Sequence, residues 1–227
     1  MRVLAIDTAL EACSAAVFDT DRAEMLASES LPMVRGHAEA LMPLVARVME
    51  QAKTEFAALD RIAVTSGPGS FTGLRVGISA ARGIALAASK PAYGLTTLAA
   101  FAASHIAADD SVPVVVAIDA RHQHVYLQVF GPGGRTLVSP RIASLREAVR
   151  AAANGPVRIV GTAARMVADA WPPEAPKPQL VEELRAPDIK WVAQLGAAAM
   201  GTPASPRPLY LRAPDAQPQA AARLPRR

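Results

Sequence analysis

The segment of this sequence best suited to phosphate chemistry is a glycine-rich turn, Gly67-Pro68-Gly69-Ser70, which follows a short strand-like run. Glycine-rich turns at the start of a helix bind phosphate because their backbone N–H groups point at the anion. Here no Gly-Lys-Thr follows, and Pro68 has no N–H to donate. The turn therefore predicts a tight connection between a strand and a helix, and not an ATP-binding loop.

Histidine and cysteine side chains offer little further chemistry. His122 and His124 alternate on a predicted strand and would point the same way, so they either chelate a metal weakly or face solvent. Cys13 lies in another predicted strand and is expected to be a small buried side chain. As the single cysteine, it also excludes an internal disulfide. We predict no catalytic residue and no metal site.

The element that follows the turn is a helix predicted over residues 71–88, with Ser70 as its N-cap. After Thr72 its polar side chains form one narrow stripe, and the other positions are apolar or small. Such a helix is either central to its own fold or buried against a second chain. Each internal glycine lowers helix stability by about 1 kcal/mol relative to alanine, so several glycines in one helix call for a packing reason. We expect a face of small residues that lets another helix approach. That face comprises Gly73, Gly77, Ala80, Ile84 and Ala87.

Composition and charge limit the partners. The 227 residues are 51% hydrophobic, enough for a sizeable core. The net charge of +4 lies in residues 202–227, since residues 1–201 carry 19 basic and 19 acidic side chains. Residues 1–201 therefore lack the excess positive charge that proteins commonly use to bind the phosphate backbone of a nucleic acid. No apolar run reaches the ~20 residues needed to cross a bilayer, so we expect a cytoplasmic protein.

The hydrophobic periodicity predicts an α/β protein. A strand and hairpin open the chain near Val3 and open again near Val112, which suggests two halves of similar plan. Predicted strands lie at 3–6, 14–18, 24–28, 61–65, 92–95, 112–118, 125–130 and 157–160. Predicted helices lie at 36–52, 71–88, 97–106, 145–152, 163–170 and 187–201. The proline-rich run 172–178 cannot be regular structure.

Five ordered segments together carry a family resemblance. They are IDTA (6–9), RGHAEALMPLV (35–45), GPGSFTGLRVG (67–77), AIDAR (117–121) with Val125-Tyr126, and PLYLR (208–212). The chain resembles the bacterial tRNA threonylcarbamoyladenosine biosynthesis proteins of the TsaB (YeaZ) family over nearly its whole length.

The resemblance implies a fold of two reduced actin-like, sugar-kinase-like (RNase H-like) halves, each a mixed sheet with flanking helices. Residues 1–105 would form the N-terminal half and 106–186 the C-terminal half. Residues 187–201 would form a helix that packs back on the N-terminal half. Residues 202–227 would form an extended to disordered tail, in which Leu209 and Leu211 could dock.

In the actin-like fold, Asp7 and Thr8 would stand at a first phosphate loop and Asp119 and Arg121 at a second. The second turn contains no glycine to let backbone approach a phosphate. We therefore interpret both loops as vestigial, with the aspartates capping turns or binding arginines.

The resemblance also bears on metal binding. The paralogous transferase carries two metal-binding histidines four residues apart on a helix. By resemblance those positions here are Thr97 and Phe101, and neither can replace an imidazole.

The resemblance implies an accessory subunit that lacks its own chemistry. It would pair with the transferase TsaD and support the ATPase TsaE in modifying the adenosine beside the tRNA anticodon. ATP or ADP and any metal would belong to those partners, and tRNA would be bound mainly through the complex. The alternative is a small metal- or nucleotide-dependent hydrolase, resembling a peptidase.

We expect the partner interface on the helices at 36–52 and 71–88, and a weaker homodimer through the same surface when the partner is missing. Arg75 is expected to have an acidic neighbour, because a cation in the first turns opposes the helix dipole. The predicted interface residues are His37, Leu41, Val45, Val48, Gly73, Arg75, Gly77, Ala80 and Ile84.

Overall fold

The computed structural model describes residues 1–153, 155–201 and 205–212. It contains two five-stranded mixed sheets. The first sheet has the order β3-β2-β1-β4-β5. Its strands are β1 (Arg2–Asp7), β2 (Ala12–Asp19), β3 (Glu24–Pro32), β4 (Arg61–Gly67) and β5 (Ala92–Thr96).

The second sheet has the order β10-β9-β6-β7-β8. Its strands are β6 (Val114–Asp119), β7 (His124–Phe130), β8 (Thr136–Ser144), β9 (Arg158–Val160) and β10 (Leu180–Glu182). The helices are α1 (His37–Gln51), α2 (Phe71–Ala88), α3 (Thr97–Ala108), α4 (Leu145–Ala152), α5 (Ala164–Asp169) and α6 (Ile189–Ala198). Short 3-10 turns lie at Phe56–Ala58 and Pro132–Gly134.

The two sheets share one plan. The central strand of each, β1 or β6, pairs antiparallel with the strand that follows it in a hairpin, and parallel with the next strand on its other side. The third strand of each half extends the hairpin at one edge. The predicted α/β architecture of two similar halves is thus confirmed.

Helices cover both faces of the first sheet because its central strands are apolar throughout. On one face, α1 and α2 pack on β1, β2 and β4 around Leu4, Ile6 and Val64. On the other face, α6 contacts the same strands through Ile189, Val192 and Ala193. The strands of this sheet are therefore held between two helical layers.

The second sheet is covered in a similar way. Helices α4 and α5 pack on one face around Val115 and Ile159. Helix α3 packs on the other face through Leu98 and Phe101. Since α3 also contacts α6, β4 and β5, it lies between the two sheets. None of the helices in the described ranges is long and apolar enough to span a bilayer.

Two strands were not predicted. Strand β8 is an edge strand with alternating exposure and a proline at position 140, a pattern that proline-tolerant edge strands show. Strand β10 is three residues long and follows the irregular 172–178 run. Of the predicted tail at 202–227, only Ser205–Arg212 lies within the described residues.

Candidate functional site

The first of the two loops that we predicted to be vestigial phosphate loops follows β1 and is held by internal hydrogen bonds. Asp7 is fully buried, and its Oδ1 accepts hydrogen bonds from the Thr65 hydroxyl and from the Ala9 N–H, the latter at 3.1 Å. The Ala9 carbonyl accepts the Ser70 N–H at 2.7 Å. The prediction that Asp7 caps a turn is confirmed, and the backbone N–H of Ala9 is already engaged.

Burial is the dominant electrostatic effect at Asp7. Desolvation raises the pKa of its carboxyl above the usual range, while the Thr65 and Ala9 hydrogen bonds and the nearby His37 oppose the rise. Its second oxygen, Oδ2, has no hydrogen-bond partner among the described residues. The Asp7 carboxyl group is therefore buried within the chain and does not face an open phosphate site.

The glycines of α2 pack against this loop. A Cβ at Gly73 would lie closer than 3.0 Å to the Thr8 carbonyl oxygen. A Cβ at Gly77 would lie closer than 3.0 Å to the Thr8 hydroxyl oxygen. That hydroxyl donates a hydrogen bond to the Gly73 carbonyl oxygen at 2.7 Å. The expected exposure of the small face was therefore wrong at Gly73 and Gly77, because Thr8 of the same chain fills the space kept for a partner helix.

The predicted interface residues are mostly core. His37, Leu41, Val45, Val48, Gly73, Gly77 and Ile84 are buried within the chain, so they cannot form a contact surface themselves. Only Arg75 and Ala80 of the predicted set reach solvent. His37 has a structural position, with Nε2 3.0 Å from the Leu10 carbonyl oxygen. The apolar stripes of α1 and α2 both face the first sheet.

The outward faces of α1 and α2 carry different apolar side chains. Leu86 of α2 is 84% exposed, and Met42 of α1 is 47% exposed. Val34, just before α1, is 69% exposed. Both helices cover the same face of the first sheet, and Leu86 lies beside Arg82, Lys90 and Ser205 on the flank of α2 nearest β5. The sequence signal for Met42 and Leu86 was present, since both occupy helix positions outside the buried stripe.

The second loop that we predicted to be vestigial is a tight turn between β6 and β7. Arg121, His122 and Gln123 all have left-handed backbone conformations, with φ of 63°, 53° and 59°. Asp119 accepts the Arg121 N–H at 2.7 Å, which confirms the predicted turn-capping role. The N–H groups of Ala120 and His124 also bond within the turn. These groups are engaged internally, so they do not form a free phosphate cradle.

The histidine pair differs from the prediction. His122 lies in the turn and β7 begins at His124, so the two do not alternate on a strand. His124 Nδ1 lies 2.7 Å from the His122 carbonyl oxygen. Both imidazoles are exposed, which agrees with the solvent-facing alternative, although the predicted alternation on a strand was wrong.

Positions 97 and 101 are interior to the fold. Thr97 and Phe101 on α3 are both buried between the sheets.

Within the described ranges, no group of three His, Cys, Asp or Glu side chains is placed to hold a metal ion. Cys13 is buried as predicted, and burial raises the pKa of its thiol to about 11.

One contact set that the sequence analysis missed involves the carboxyl-terminal segment Ser205–Arg212. The Leu209 N–H bonds to the Ser66 carbonyl oxygen at 2.7 Å, which agrees with the suggestion that Leu209 docks. Tyr210 stacks on Phe71, and its hydroxyl accepts from Arg75. Arg75 therefore has an aromatic neighbour instead of the expected acidic one. The PLYLR run was a signal, but its partners lie far away in the sequence, 135 residues for Tyr210 and Arg75 and 92 residues for Arg212 and Ala120.

Two mixed sheets of one plan, with helices on both faces and a polar loop after each central strand, define a two-lobed α/β protein of actin-like fold. The family model for the tRNA N6-adenosine threonylcarbamoyltransferase TsaD matches residues 28–180. A Pseudomonas aeruginosa structure described as similar to peptidase YeaZ superposes with a TM-score of 0.79 at 28% identity, covering 93% of this chain and 99% of that one.

Sequence similarity to named proteins points to the same family as the structural match. The tRNA threonylcarbamoyladenosine biosynthesis protein TsaB of Haemophilus influenzae is 32% identical over 173 residues, 71% of this chain and 72% of that protein. TsaB of Escherichia coli is 40% identical over 126 residues, 56% of this chain and 53% of that protein, so the match spans about half of its length. The chain belongs to the TsaB (YeaZ) family.

Proposed function

We propose that this chain is a non-catalytic subunit in the biosynthesis of threonylcarbamoyladenosine in tRNA, acting in the cytoplasm. It binds a TsaD-like transferase, and the pair supports a TsaE-like ATPase. ATP, ADP and metal ions bind to those partners, and tRNA contacts are made mainly through the complex. The names of the relatives support the pathway, and the match of a transferase family model to residues 28–180 supports a paralogous partner.

The observation that carries the pairing is the apolar outward side of α1 and α2. Val34, Met42 and Leu86 are large exposed apolar side chains on or beside the two helices that cover this face of the first sheet. Exposed apolar surface marks partner sites in soluble proteins, so we propose that these side chains contribute to one. A paralogue with an equivalent helix pair would pack there as a four-helix contact, and a second copy of this chain would pack more weakly about a two-fold axis.

The closed loops support the non-catalytic part of the proposal. Binding a nucleotide phosphate requires backbone N–H groups that are free to point at it. The N–H groups of Ala9 and Arg121 instead bond to the carboxylates of Asp7 and Asp119. Opening either loop for a phosphate would break these bonds.

Reconstituted tRNA modification tests the proposal. Unmodified tRNA is incubated with the cognate transferase, the ATPase and the threonylcarbamoyl donor, with or without this chain, and modified adenosine is measured by mass spectrometry. We expect modification to require the chain and to be lost with Met42→Glu. The matched control is Leu137→Glu on β8, where Leu137 is also about half exposed. Full modification in the absence of the chain would contradict the proposal.

A further inference from the structure

The carboxyl-terminal segment Ser205–Arg212 is anchored on both halves of the molecule. Its Leu209 carbonyl lies so close to Gly67 that a Cβ there would be 2.8 Å from the oxygen. Pro206 is buried, and a Cβ at Gly94 would touch it at 3.4 Å. At the far end, Arg212 Nη1 donates to the Ala120 carbonyl oxygen at 2.8 Å. The segment is thus a built part of the surface near the start of α2.

This segment brings Tyr210 into a surface cluster with Phe71 and Arg75. The rings of Tyr210 and Phe71 stack with centroids 5.2 Å apart. The Arg75 guanidinium lies 3.8 Å from the Phe71 ring centroid, and its Nε donates to the Tyr210 hydroxyl at 3.1 Å. Phe71 and Tyr210 remain 41% and 44% exposed. The three side chains hold one another in place while facing solvent.

The cluster is positively charged and uncompensated. Helix α2 carries Arg75 and Arg82 and no carboxylate. In the described part of the chain neither arginine takes part in an ion pair. No hydrogen bond among the described residues uses the two Nη atoms of Arg75. A guanidinium fixed through Nε can present these atoms as a fork to a planar carboxylate.

The surroundings favour a protein partner over a nucleic acid. The cluster is continuous along α2 with the outward apolar side that includes Leu86. Buried tyrosine and arginine side chains within apolar surface are the typical anchors of protein interfaces. The segment adds only Arg207 and Arg212, and residues 1–201 carry no excess positive charge, so the surface lacks the extended basic area that a phosphate backbone requires.

We infer that the Ser205–Arg212 segment is part of the partner-binding surface, where Tyr210 and Phe71 position Arg75 to pair with a carboxylate of the transferase-like partner. The inference rests on the proposed function, since it adds a charged anchor to the same surface. Tyr210 is a positioning residue here, and Arg75 makes the ion pair.

Calorimetric titration of the cognate transferase with variants of the full chain tests this inference. We expect Arg75→Gln and Tyr210→Ala each to weaken binding by about tenfold, and Tyr210→Phe, which keeps the ring, by less. The double variant Arg75→Gln/Tyr210→Ala should bind no more weakly than the weaker single variant, because both changes remove one ion pair. Arg146→Gln on the exposed side of α4 is the control for loss of one positive charge and should bind normally.

The outcomes separate the two proposals. Normal binding by Arg75→Gln, together with lost binding by Leu86→Glu, would overturn the inference and leave the proposed function standing. Absence of binding by the unaltered chain would overturn both. Melting curves are recorded for each variant, and if Tyr210→Ala melts early the decision rests on Arg75→Gln, which alters only an exposed side chain. Independent losses that add in the double variant would also overturn the positioning role of Tyr210.

Discussion

Replacing Gly77 with alanine should destabilise the protein itself. A Cβ at this position would lie closer than 3.0 Å to the Thr8 hydroxyl and 3.5 Å from Val64 Cγ2. Overpacking of this kind costs about 1–3 kcal/mol, and displacing the Thr8 hydroxyl from the Gly73 carbonyl adds about 1 kcal/mol. The better helix propensity of alanine returns about 1 kcal/mol. We therefore expect the free energy of unfolding to fall by about 1–3 kcal/mol.

The same helix offers a matched control at Gly83, where an added Cβ meets nothing within 4 Å. Gly83→Ala should raise the free energy of unfolding by up to about 1 kcal/mol through propensity alone. Urea unfolding followed by circular dichroism measures the free energy of unfolding of both variants. In thermal unfolding, each kcal/mol should move the melting temperature by about 2–4 °C in a chain of this size. A Gly77→Ala protein as stable as Gly83→Ala would refute the packing described for α2 and Thr8.

Three further predictions concern the loops and the tail. Because burial raises the pKa of Asp7, the native state holds this proton to higher pH than the unfolded chain does. The contribution of Asp7 to the free energy of unfolding should therefore decline as the pH rises above about 4, and the stability of Asp7→Asn relative to the unaltered chain should increase over the same rise; a difference independent of pH in urea titrations would contradict this. The isolated chain should not hydrolyse ATP, because the N–H groups of Ala9 and Arg121 already bond to the carboxylates of Asp7 and Asp119; turnover abolished by Asp7→Ala would show otherwise. Deleting residues 214–227, which lie outside the described residues, should leave melting temperature and partner binding unchanged, and a drop of several degrees would show that this tail docks.

Local signals explain what the sequence predicted well. Helix α2 spans Phe71–Ala88 as predicted because its ends are specified by nearby residues. The Ser70 hydroxyl accepts the Gly73 N–H at 3.3 Å, and Ser89 ends the helix in a left-handed conformation. The turn-capping roles of Asp7 and Asp119 are equally local, since each bonds to an N–H two residues later.

Distant contacts explain what the sequence did not predict. Periodicity places Gly73 and Gly77 on one face of α2, but it cannot show that Thr8, 65 residues before Gly73, covers that face. Position 75 likewise receives Tyr210 from the other end of the chain. The predicted interface residues therefore lie mostly on the inward sides of α1 and α2, whereas the exposed apolar side chains Met42 and Leu86 lie outside the buried stripes.

The central claim, that the outward sides of α1 and α2 bind the transferase-like partner, is tested most directly by one calorimetric comparison. The cognate transferase is titrated with the unaltered chain, with Leu86→Glu and with the control Leu137→Glu. The account predicts that the unaltered chain and the control bind equally, and that Leu86→Glu binds at least about tenfold more weakly, because a charge replaces an apolar contact. A normally folded Leu86→Glu protein that binds as well as the unaltered chain would contradict the account.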